Sequence, residues 1–390
     1  MFSSVDLTDS PQLAAYRQQV RQWLADNRGS APAEKPGLHV SDIEPFRAWQ
    51  RCLAEEGLVG VTWPVEHGGQ GLGMIEQAVI NSELHRVGLP GALDIIGIGN
   101  LGPTVIVHGT PSQKERHLRP LLLGDEIWCQ LFSEPGAGSD LAGIRTRAVR
   151  TEEGWRLNGQ KVWTTNAQHA AFGLLLARTD ASVPKHRGLT VFILPMAAPG
   201  VEVRPLRQLT GAAAFNEVFI DDVLLPKEAV LGEVGDGWTV AMTCLMYERF
   251  NLLTMLDQIG WQPSLFLEPL QQGFPDHLRQ RLASVIVDML AVRYSGHRAL
   301  SKVANGDLPG PEAGLGKITL VDAAIRGAQV ITEALGPSAL DGQWGYLLAE
   351  MQGLRSGGGT DEILLTTIGE RVLGLPAEPR VDKDRAFHEL

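Results

Sequence analysis

Residues 131–140 read Leu-Phe-Ser-Glu-Pro-Gly-Ala-Gly-Ser-Asp, a loop made almost wholly of residues that favour turns. Glycine adopts positive φ at little cost, proline fixes φ, and Ser and Asp side chains bond to nearby backbone. Residues 127–132 have the composition of a strand, and residues 144–150 alternate with period two. Small residues between two strands let backbone N–H groups approach a ligand, and phosphates favour such nests. The pattern alone leaves open a ligand-binding loop and an ordinary surface turn.

A second segment, residues 155–163 (WRLNGQKVW), predicts a hairpin, because Asn-Gly favours a type I′ turn. This hairpin would bring Trp163 and the polar residues 164–166 next to the first loop. An indole beside hydroxyl groups suits a flat polar heterocycle, since the ring stacks and the hydroxyls bond its edge. The two segments together therefore favour a binding site over a surface turn.

Residues 130–140 and 158–166 resemble the two flavin-contacting motifs of the acyl-CoA dehydrogenase family. Three further segments fit the same family: residues 64–69 (PVEHGG), 247–249 (YER) and 358–363 (GGTDEI). The matches run in family order over nearly the whole chain, so their combination is far more specific than any one motif. The resemblance implies an N-terminal helical domain, a small middle β-barrel or sandwich, and a C-terminal up-down helical bundle, with the flavin between the β domain and the bundle.

The resemblance also implies FAD as cofactor, an acyl-CoA substrate and no metal. Ser133 and Thr165 would bond the isoalloxazine edge, Trp163 would lie against the ring, and Ser139 would lie near the phosphates or the pantetheine. The implied cofactor-binding set is Gln130, Leu131, Phe132, Ser133, Gly138, Ser139, Trp163, Thr165, Thr360 and Glu362. The implied substrate-contacting set is Ser139, Tyr247, Arg249 and Gly359.

The reaction implied is α,β-dehydrogenation, in which a carboxylate removes the α-proton and the β-hydrogen leaves as hydride to flavin N5. Many relatives place the base before the Gly-Thr of the late motif, but this chain has Gly358 there. Other relatives use a Glu that precedes an Arg on the long helix of the C-terminal bundle, and Glu248-Arg249 matches that position. Glu248 also stands out by itself, since its neighbours at helical spacing are mostly apolar, and such a carboxylate is neutralised, paired or functional. A structural Glu paired with an Arg of another helix stays the alternative.

Relatives often carry Tyr-Glu where this chain has Gly357-Gly358, which predicts room for branched or ring-bearing acyl groups. Two family patterns that touch a neighbouring subunit's FAD are missing. Residues 271–281 lack Arg-x-x-Phe-Gly, and residues 333–337 read Glu-Ala-Leu-Gly-Pro instead of Gln-x-x-Gly-Gly. Either Arg279 or Arg281 replaces those contacts, or a different partner chain completes the site.

Four interpretations follow. The first is a homotetrameric or dimeric acyl-CoA dehydrogenase that passes electrons to an electron-transfer flavoprotein. The second is a subunit of a hetero-oligomer that shares its flavin site with a sister chain. The third is a flavin oxidase or monooxygenase on the same fold. The fourth is a fold relative that binds an acyl thioester or a partner protein without chemistry, against which the retained Ser133, Trp163 and Glu248 argue.

Composition sets outer bounds on these interpretations. A chain of 390 residues predicts two or three domains, here residues 1–125 (helical), 126–230 (β) and 235–390 (helical bundle). A net charge of -11 disfavours nucleic acid and anionic membranes as partners. Three cysteines without a CxxC pair, no signal-peptide pattern and no long apolar run predict a cytoplasmic location. The family resemblance implies a role in fatty acid or lipid catabolism.

Hydrophobic spacing predicts where the elements lie. Helices are expected near residues 13–24, 45–56, 75–87, 102–108, 113–122, 237–256, 275–304, 309–335 and 360–372. Further strands are expected near residues 172–177, 189–194, 201–203 and 217–220.

Overall fold

The computed structural model describes residues 9–32, 43–254, 266–267, 269–272, 274–304, 310–380 and 382–390. Within these ranges the chain is helical, then β, then helical again. This order confirms the predicted fold class, while the boundaries of the three domains stay a prediction. No helix in the described ranges combines the length and the apolar character needed to cross a membrane.

In the part of the chain that the structure describes, the α-helices before the sheet are α1 Pro11–Asp26, α2 Glu44–Glu55, α3 Met74–Val87, α4 Gly102–His108 and α5 Pro111–Leu122. A π-helical turn, Gly97–Leu101, leads directly into α4. The helices after the sheet are α6 Gly237–Thr254, α7 Asp276–Ala304, α8 Gly314–Leu335, α9 Gln343–Leu354 and α10 Asp361–Arg371. The sequence predicted neither the π-helical turn nor α9.

The sheet contains β1 Trp128–Leu131, β2 Arg147–Arg150, β3 Trp155–Thr165, β4 Phe172–Arg178, β5 Leu189–Pro195, β6 Val201–Leu206, β7 Phe215–Leu225 and β8 Val230–Leu231. Its strand order is β6-β7-β3-β2-β4-β5-β8, and β1 pairs in parallel with β4. Buried side chains from most of these strands form one apolar core, which includes Leu131, Leu157 and Phe192. This core holds in place the end of β1 and the end of β3, which carry the candidate site residues.

The hairpin predicted around Asn158-Gly159 is wrong, because β3 runs unbroken through both residues. The pairing of β3 with β7 is irregular between Leu157 and Gly159, and the Asn158 side chain accepts the backbone N–H of Asp222 at 2.9 Å. At Gly159 an added Cβ would lie 2.3 Å from the Thr146 hydroxyl oxygen. The Asn-Gly pair therefore lies opposite a bulge of β7, in which Asp221 and Asp222 face Asn158 alone. Sequence alone does not separate this arrangement from a turn.

By contact density the chain forms two compact units. The first comprises Met1–Asp26, Gly73–Val87 and Leu252–Ala377, and the second comprises Asn27–Leu72, Gly88–Asn251 and Glu378–Leu390. In the first unit, α7 and α8 share an apolar core to which Phe266 and Trp344 belong. Also in that unit, Arg17 and Arg21 of α1 reach Glu83 of α3 at 3.1 and 2.9 Å.

Candidate active site

The loop after β1 has a fixed base and an open tip. Glu134 and Ala137 exchange backbone hydrogen bonds of 3.0 Å, which close a tight turn. The Glu134 carboxylate is buried and accepts the backbone N–H groups of Arg145 and Thr146 at 2.6 and 2.9 Å. Gly138 and Ser139 at the tip are exposed. The tip is therefore accessible from solvent, and its contact with a ligand stays a prediction.

Lys161 of β3 ties this loop to the sheet. Its side chain is fully buried, and its ammonium group donates to the Phe132 carbonyl at 3.0 Å and to Glu134 at 2.8 Å. Burial lowers the pKa of Lys161 to about 8, against the attraction of Glu134. Burial would raise the pKa of Glu134, but Lys161 and the hydrogen bonds to the carboxylate hold it below its usual value. Lys161 was not among the predicted site residues, although period two places it on the same face of β3 as the core residue Leu157.

Trp163 has an unusual backbone and a free ring. Its φ is 60°, and it is 62% exposed although the two preceding residues of β3 are buried. Its ring meets Phe215 edge-on at 6.1 Å between centroids. A bulky residue in the left-handed region is a rare and strained state, and such states cluster at ligand sites.

The groups next to Trp163 suit the edge of a flat heterocycle. The backbone N–H of Val162 donates to the Ser133 carbonyl at 3.0 Å, so Ser133 lies beside the Trp163 segment. Thr165 is half-buried and pairs with Phe215 across β3 and β7. Leu131 and Phe132 are buried beneath the loop. An exposed indole beside two hydroxyl-bearing residues fits the isoalloxazine ring that the sequence predicted.

The exposed end of the loop carries a charge pair that sequence analysis did not find. Asp140, which follows Ser139, accepts the Lys185 ammonium group at 2.9 Å. Lys185 also pairs with Asp382 at 2.6 Å. Ion pairs through Lys185 therefore connect Asp140, next to Ser139, with Asp382 in the C-terminal segment of the same unit.

Glu248 lies on α6 in the second unit and is half-buried. Burial raises the pKa of Glu248 above its usual value, although a hydrogen bond from Gln130 and the charge of Arg249 act in the lowering direction. The helix neighbours Ala241 and Cys244 are fully buried. Arg249 is exposed and donates to the Leu245 carbonyl at 3.2 Å, so it turns back along its own helix.

The Gln130 side chain of β1 contacts α6. The Cys244 thiol donates to Oε1 of Gln130 at 3.4 Å, which joins α6 to β1. Burial raises the pKa of the Cys244 thiol, and the nearby Glu248 carboxylate raises it further. Tyr247, assigned to the substrate site, is half-buried, and its ring centroid lies 6.2 Å from that of Phe250.

The π-helical turn before α4 supports α6. Its first N–H, from Gly97, donates to Asp94 at 2.8 Å, and the N–H of Trp128 donates to the second Asp94 oxygen at 2.8 Å. Burial raises the pKa of Asp94 to about 7, although both backbone donors favour its charged form. At Gly99 an added Cβ would lie 2.3 Å from the side chain of Asn251, three residues after Glu248. Turns of this kind are frequent at functional sites, but no signal in the sequence identified this one.

Three of the predicted site residues belong to the first unit. Thr360 caps α10, since its hydroxyl accepts the Ile363 N–H at 3.2 Å, and Glu362 is exposed in the first turn. Gly359 has a φ of 92°, and its carbonyl accepts the Lys317 ammonium group at 3.0 Å. A glycine-led helix N-terminus favours anionic groups, which agrees with a role toward the flavin nucleotide. Lys317 was not singled out in the sequence.

This fold and these side chains define the class of the protein, a three-domain flavin-dependent oxidoreductase. Comparison with known proteins identifies the family. Residues 10–125, 129–223 and 271–373 match the N-terminal, middle and C-terminal domains of acyl-CoA dehydrogenases. The chain belongs to the acyl-CoA dehydrogenase family, and its cofactor is FAD, as the sequence predicted.

Two curated relatives are from Mycobacterium tuberculosis. The chain is 38% identical to acyl-CoA dehydrogenase FadE34 over 369 residues, which cover 93% of this chain and 51% of that protein. It is 36% identical to acyl-CoA dehydrogenase IpdE1 over 385 residues, which cover 94% and 98% of the two chains. The chain thus spans about half the length of FadE34 and nearly all of IpdE1.

Two solved structures extend the comparison. The Tcur3481-Tcur3483 steroid ACAD aligns with a TM-score of 0.83 and 28% identity, over 96% of this chain and 100% of that one. The ChsE4-ChsE5 complex from Mycobacterium tuberculosis aligns with a TM-score of 0.76 and 25% identity, over the same shares. Both names join two chains.

Proposed function

We propose that this protein catalyses the FAD-dependent α,β-dehydrogenation of an acyl-CoA thioester to the 2-enoyl-CoA, with Glu248 as the base for the α-proton. The observation that carries the proposal is the Glu248 carboxylate, half-buried on α6 one turn after the buried Cys244, whose thiol donates to the Gln130 side chain at 3.4 Å. FAD, once bound, would supply the hydride acceptor for the β-hydrogen, and an electron-transfer flavoprotein is the proposed acceptor of its electrons.

Glu248 suits proton abstraction from a weak carbon acid. Burial raises its pKa, and a base of higher pKa holds the transferred proton more strongly. Gln130 and the charge of Arg249 oppose that rise.

The flavin would be held by the loop after β1 and by the end of β3. Trp163 offers a free ring face, while Ser133 and Thr165 offer hydroxyl groups for the polar edge of the isoalloxazine. Gly138 and Ser139 offer the exposed loop tip, while Thr360 and Glu362 begin α10. These residues orient the cofactor, and Tyr247, Arg249 and Gly359 are proposed to contact the substrate.

We propose a branched or ring-bearing acyl group as the substrate class. Gly357 and Gly358 replace larger side chains found in relatives, and a Cβ at Gly357 would meet only the Gly353 carbonyl oxygen, at 3.8 Å, among described atoms. One structural neighbour is a steroid ACAD, which agrees with this class.

A hetero-oligomer is the second candidate. Arg279 is paired with Asp276 at 2.9 Å and Arg281 with Glu333 at 2.6 Å, so both candidate replacements for the missing Arg-x-x-Phe-Gly contact already have acidic partners. Two structural neighbours carry the names of two chains. Both observations favour a sister chain that supplies the adenosine contacts.

The visible spectrum of the purified protein tests these proposals. The dehydrogenase proposal predicts a yellow protein that acyl-CoAs bleach without oxygen, with branched or ring-bearing thioesters among the substrates. A colourless protein that becomes yellow only when a second acyl-CoA dehydrogenase chain is co-expressed supports the hetero-oligomer. Rapid reoxidation by air with peroxide formation indicates a flavin oxidase instead. A flavin that no acyl-CoA bleaches, with or without a sister chain, contradicts the proposed reaction.

A further inference from the structure

The pairing of β3 with β7 contains a bulge at Trp163. Between two paired positions β3 contains two residues, Val162 and Trp163, where β7 contains only Glu217. A bulge of this kind bends its strand and re-aims a side chain. The N–H of Val162 bonds the Ser133 carbonyl at 3.0 Å, while Trp163 has a φ of 60° and is 62% exposed. The bulge therefore accounts for the exposure of Trp163.

Asn216 of β7 binds the chain directly after this bulge. It is fully buried and pairs with Thr164 across the two strands. Its Nδ2 donates to the Thr164 carbonyl at 3.1 Å and to Oε1 of Gln168 at 2.5 Å. The Ala214 carbonyl also accepts from Nδ2, at 3.3 Å, and from the backbone N–H of Asn166, at 2.9 Å. Asn216 therefore connects the chain after the bulge with the start of β7.

The contacts of Asn216 fix the orientation of its amide. The nitrogen Nδ2 has two hydrogens and lies near three acceptor oxygens, those of Thr164, Ala214 and Gln168. With the amide reversed, Oδ1 would face those three oxygens with no hydrogen between them. A buried polar group that loses its partner bears the full penalty of desolvation, so the observed orientation is strongly favoured.

The carbonyl that Asn216 binds lies between two residues with a left-handed backbone. Trp163 and Asn166 have φ values of 60° and 56°. A residue other than glycine rarely adopts this backbone state, which persists only where surrounding contacts determine it. The hydrogen bonds from Asn216 to Thr164 and from Asn166 to Ala214 are contacts of this kind.

We infer that Asn216 is a positioning residue for the flavin site, and that its amide, by binding the Thr164 carbonyl, holds the bulge that presents the Trp163 indole to the cofactor. The inference rests on the proposed function, since it takes Trp163 as a flavin contact. It gives a buried residue of β7 a role in cofactor binding, although this residue lies outside the flavin-contacting motifs and acts only through Trp163.

The test compares the dissociation of FAD from matched variants. Asn216→Leu keeps a similar side-chain size but removes both donated hydrogens, and it is made alone and together with Trp163→Ala. Thr190→Val is the control, because Thr190 is also fully buried in the sheet and its hydroxyl bonds Thr179 at 2.8 Å and the Gly235 N–H at 3.0 Å. Each holoenzyme is diluted, and the fluorescence of released FAD gives the dissociation constant.

Asn216→Leu is expected to raise the dissociation constant of FAD about tenfold, which corresponds to the loss of one hydrogen bond. In the Trp163→Ala background it should add little, because the amide acts through the indole and the two effects are then not additive. Thr190→Val should lower the free energy of unfolding but leave FAD binding near wild type. An unchanged constant, an equal effect in both backgrounds or an equal rise in Thr190→Val overturns the inference. If Asn216→Leu does not fold, Asn216→Ser, which keeps one donor, takes its place with a smaller expected rise.

A flavin-free readout separates this inference from the proposed function. In protein labelled with fluorotryptophan, the fluorine NMR signal of Trp163 is the one that disappears in Trp163→Phe. Asn216→Leu should move or broaden that signal in the flavin-free protein, while the signal of Trp155, which is buried at the start of β3, stays in place. An unmoved Trp163 signal overturns the inference. If the signal moves but neither Asn216→Leu nor Trp163→Ala weakens FAD binding, the proposed flavin contact fails, and the role of Asn216 in cofactor binding fails with it, while its hold on the bulge stands.

Discussion

The Lys161 ammonium group lies 2.8 Å from a Glu134 carboxylate oxygen, and the Lys161 side chain has no solvent exposure. The pair joins β3, which carries Trp163, to the loop that carries Ser133 and Ser139. A buried pair of this kind contributes little net stability against an apolar replacement, but loss of one partner leaves a buried charge unpaired. The main effect of the ion pair is therefore to hold the loop after β1 in a fixed position against β3.

Lys161→Met should lower the free energy of unfolding by about 3–5 kcal/mol, because it leaves the buried Glu134 carboxylate without its positively charged partner. Denaturant unfolding measures this loss, and flavin content should fall with it. Arg156→Met is the matched control, since Arg156 also lies on β3 but its partner Asp222 is exposed. A loss for Lys161→Met no larger than that of the control contradicts the assigned role.

Trp163→Ala should lower the flavin-to-protein ratio of the purified enzyme, because the free indole face is lost. Trp163→Gly should lower it as well, but with a flavin-free protein more stable than the alanine variant by about 1 kcal/mol, since glycine accepts positive φ. Absorbance measures the first result and denaturant unfolding the second. An unchanged flavin ratio and spectrum in both variants would show that Trp163 does not contact the cofactor.

Glu83 gives the protein a specific acid sensitivity. Burial would raise its pKa, but hydrogen bonds from Arg21, Arg86 and Arg17 lower it to about 2. A carboxylate with a depressed pKa stabilises the fold above its unfolded pKa and loses that contribution as pH falls through the folded value. Glu83→Gln should therefore lower the free energy of unfolding at pH 7 by about 3 kcal/mol, with the difference shrinking between about pH 4.5 and pH 2. A difference that does not change with pH contradicts this assignment.

The sequence predicted the fold well where local patterns carry the information. The loop at residues 131–140 follows β1 as expected, and most helices begin within about two residues of the periodic segments, a normal precision for helix ends. Family resemblance supplied what periodicity could not, namely the order of three domains and FAD. Both routes predict Glu248 as the base, since its apolar helix neighbours and its place before Arg249 point to the same residue, and that assignment stays a prediction.

The failures concern contacts between distant segments. Gln130 and Cys244 are 114 residues apart, so no local pattern shows that they meet. Asn158-Gly159 has the composition of a turn, but both residues lie inside β3 and pair with β7 opposite a bulge of that strand. The π-helical turn at Gly97–Leu101 depends on the buried carboxylate of Asp94, which precedes it, and on the N–H of Trp128 in β1.

Gly358→Glu should restore part of the activity lost in Glu248→Gln, because relatives place the base at either position. Gly358 has a φ of 66°, so a side chain there strains the backbone by about 1 kcal/mol and restoration stays incomplete. Gly374→Glu in the same background is the control, since Gly374 is also an exposed glycine, with a φ of 69°. Equal rates of flavin reduction in the two double variants would contradict the prediction.

Anaerobic stopped-flow reduction of Glu248→Gln tests the central claim most directly. The variant keeps the shape of the side chain and removes the proton acceptor, so flavin content and acyl-CoA binding should stay near wild type. Flavin reduction should slow by at least ~10²-fold, a typical contribution of a positioned general base. Glu350→Gln is the matched control, because Glu350 is also half-buried with a pKa raised by burial, and it should reduce at the wild-type rate. Reduction of Glu248→Gln at close to the wild-type rate would contradict the assignment and make Glu248 a structural residue.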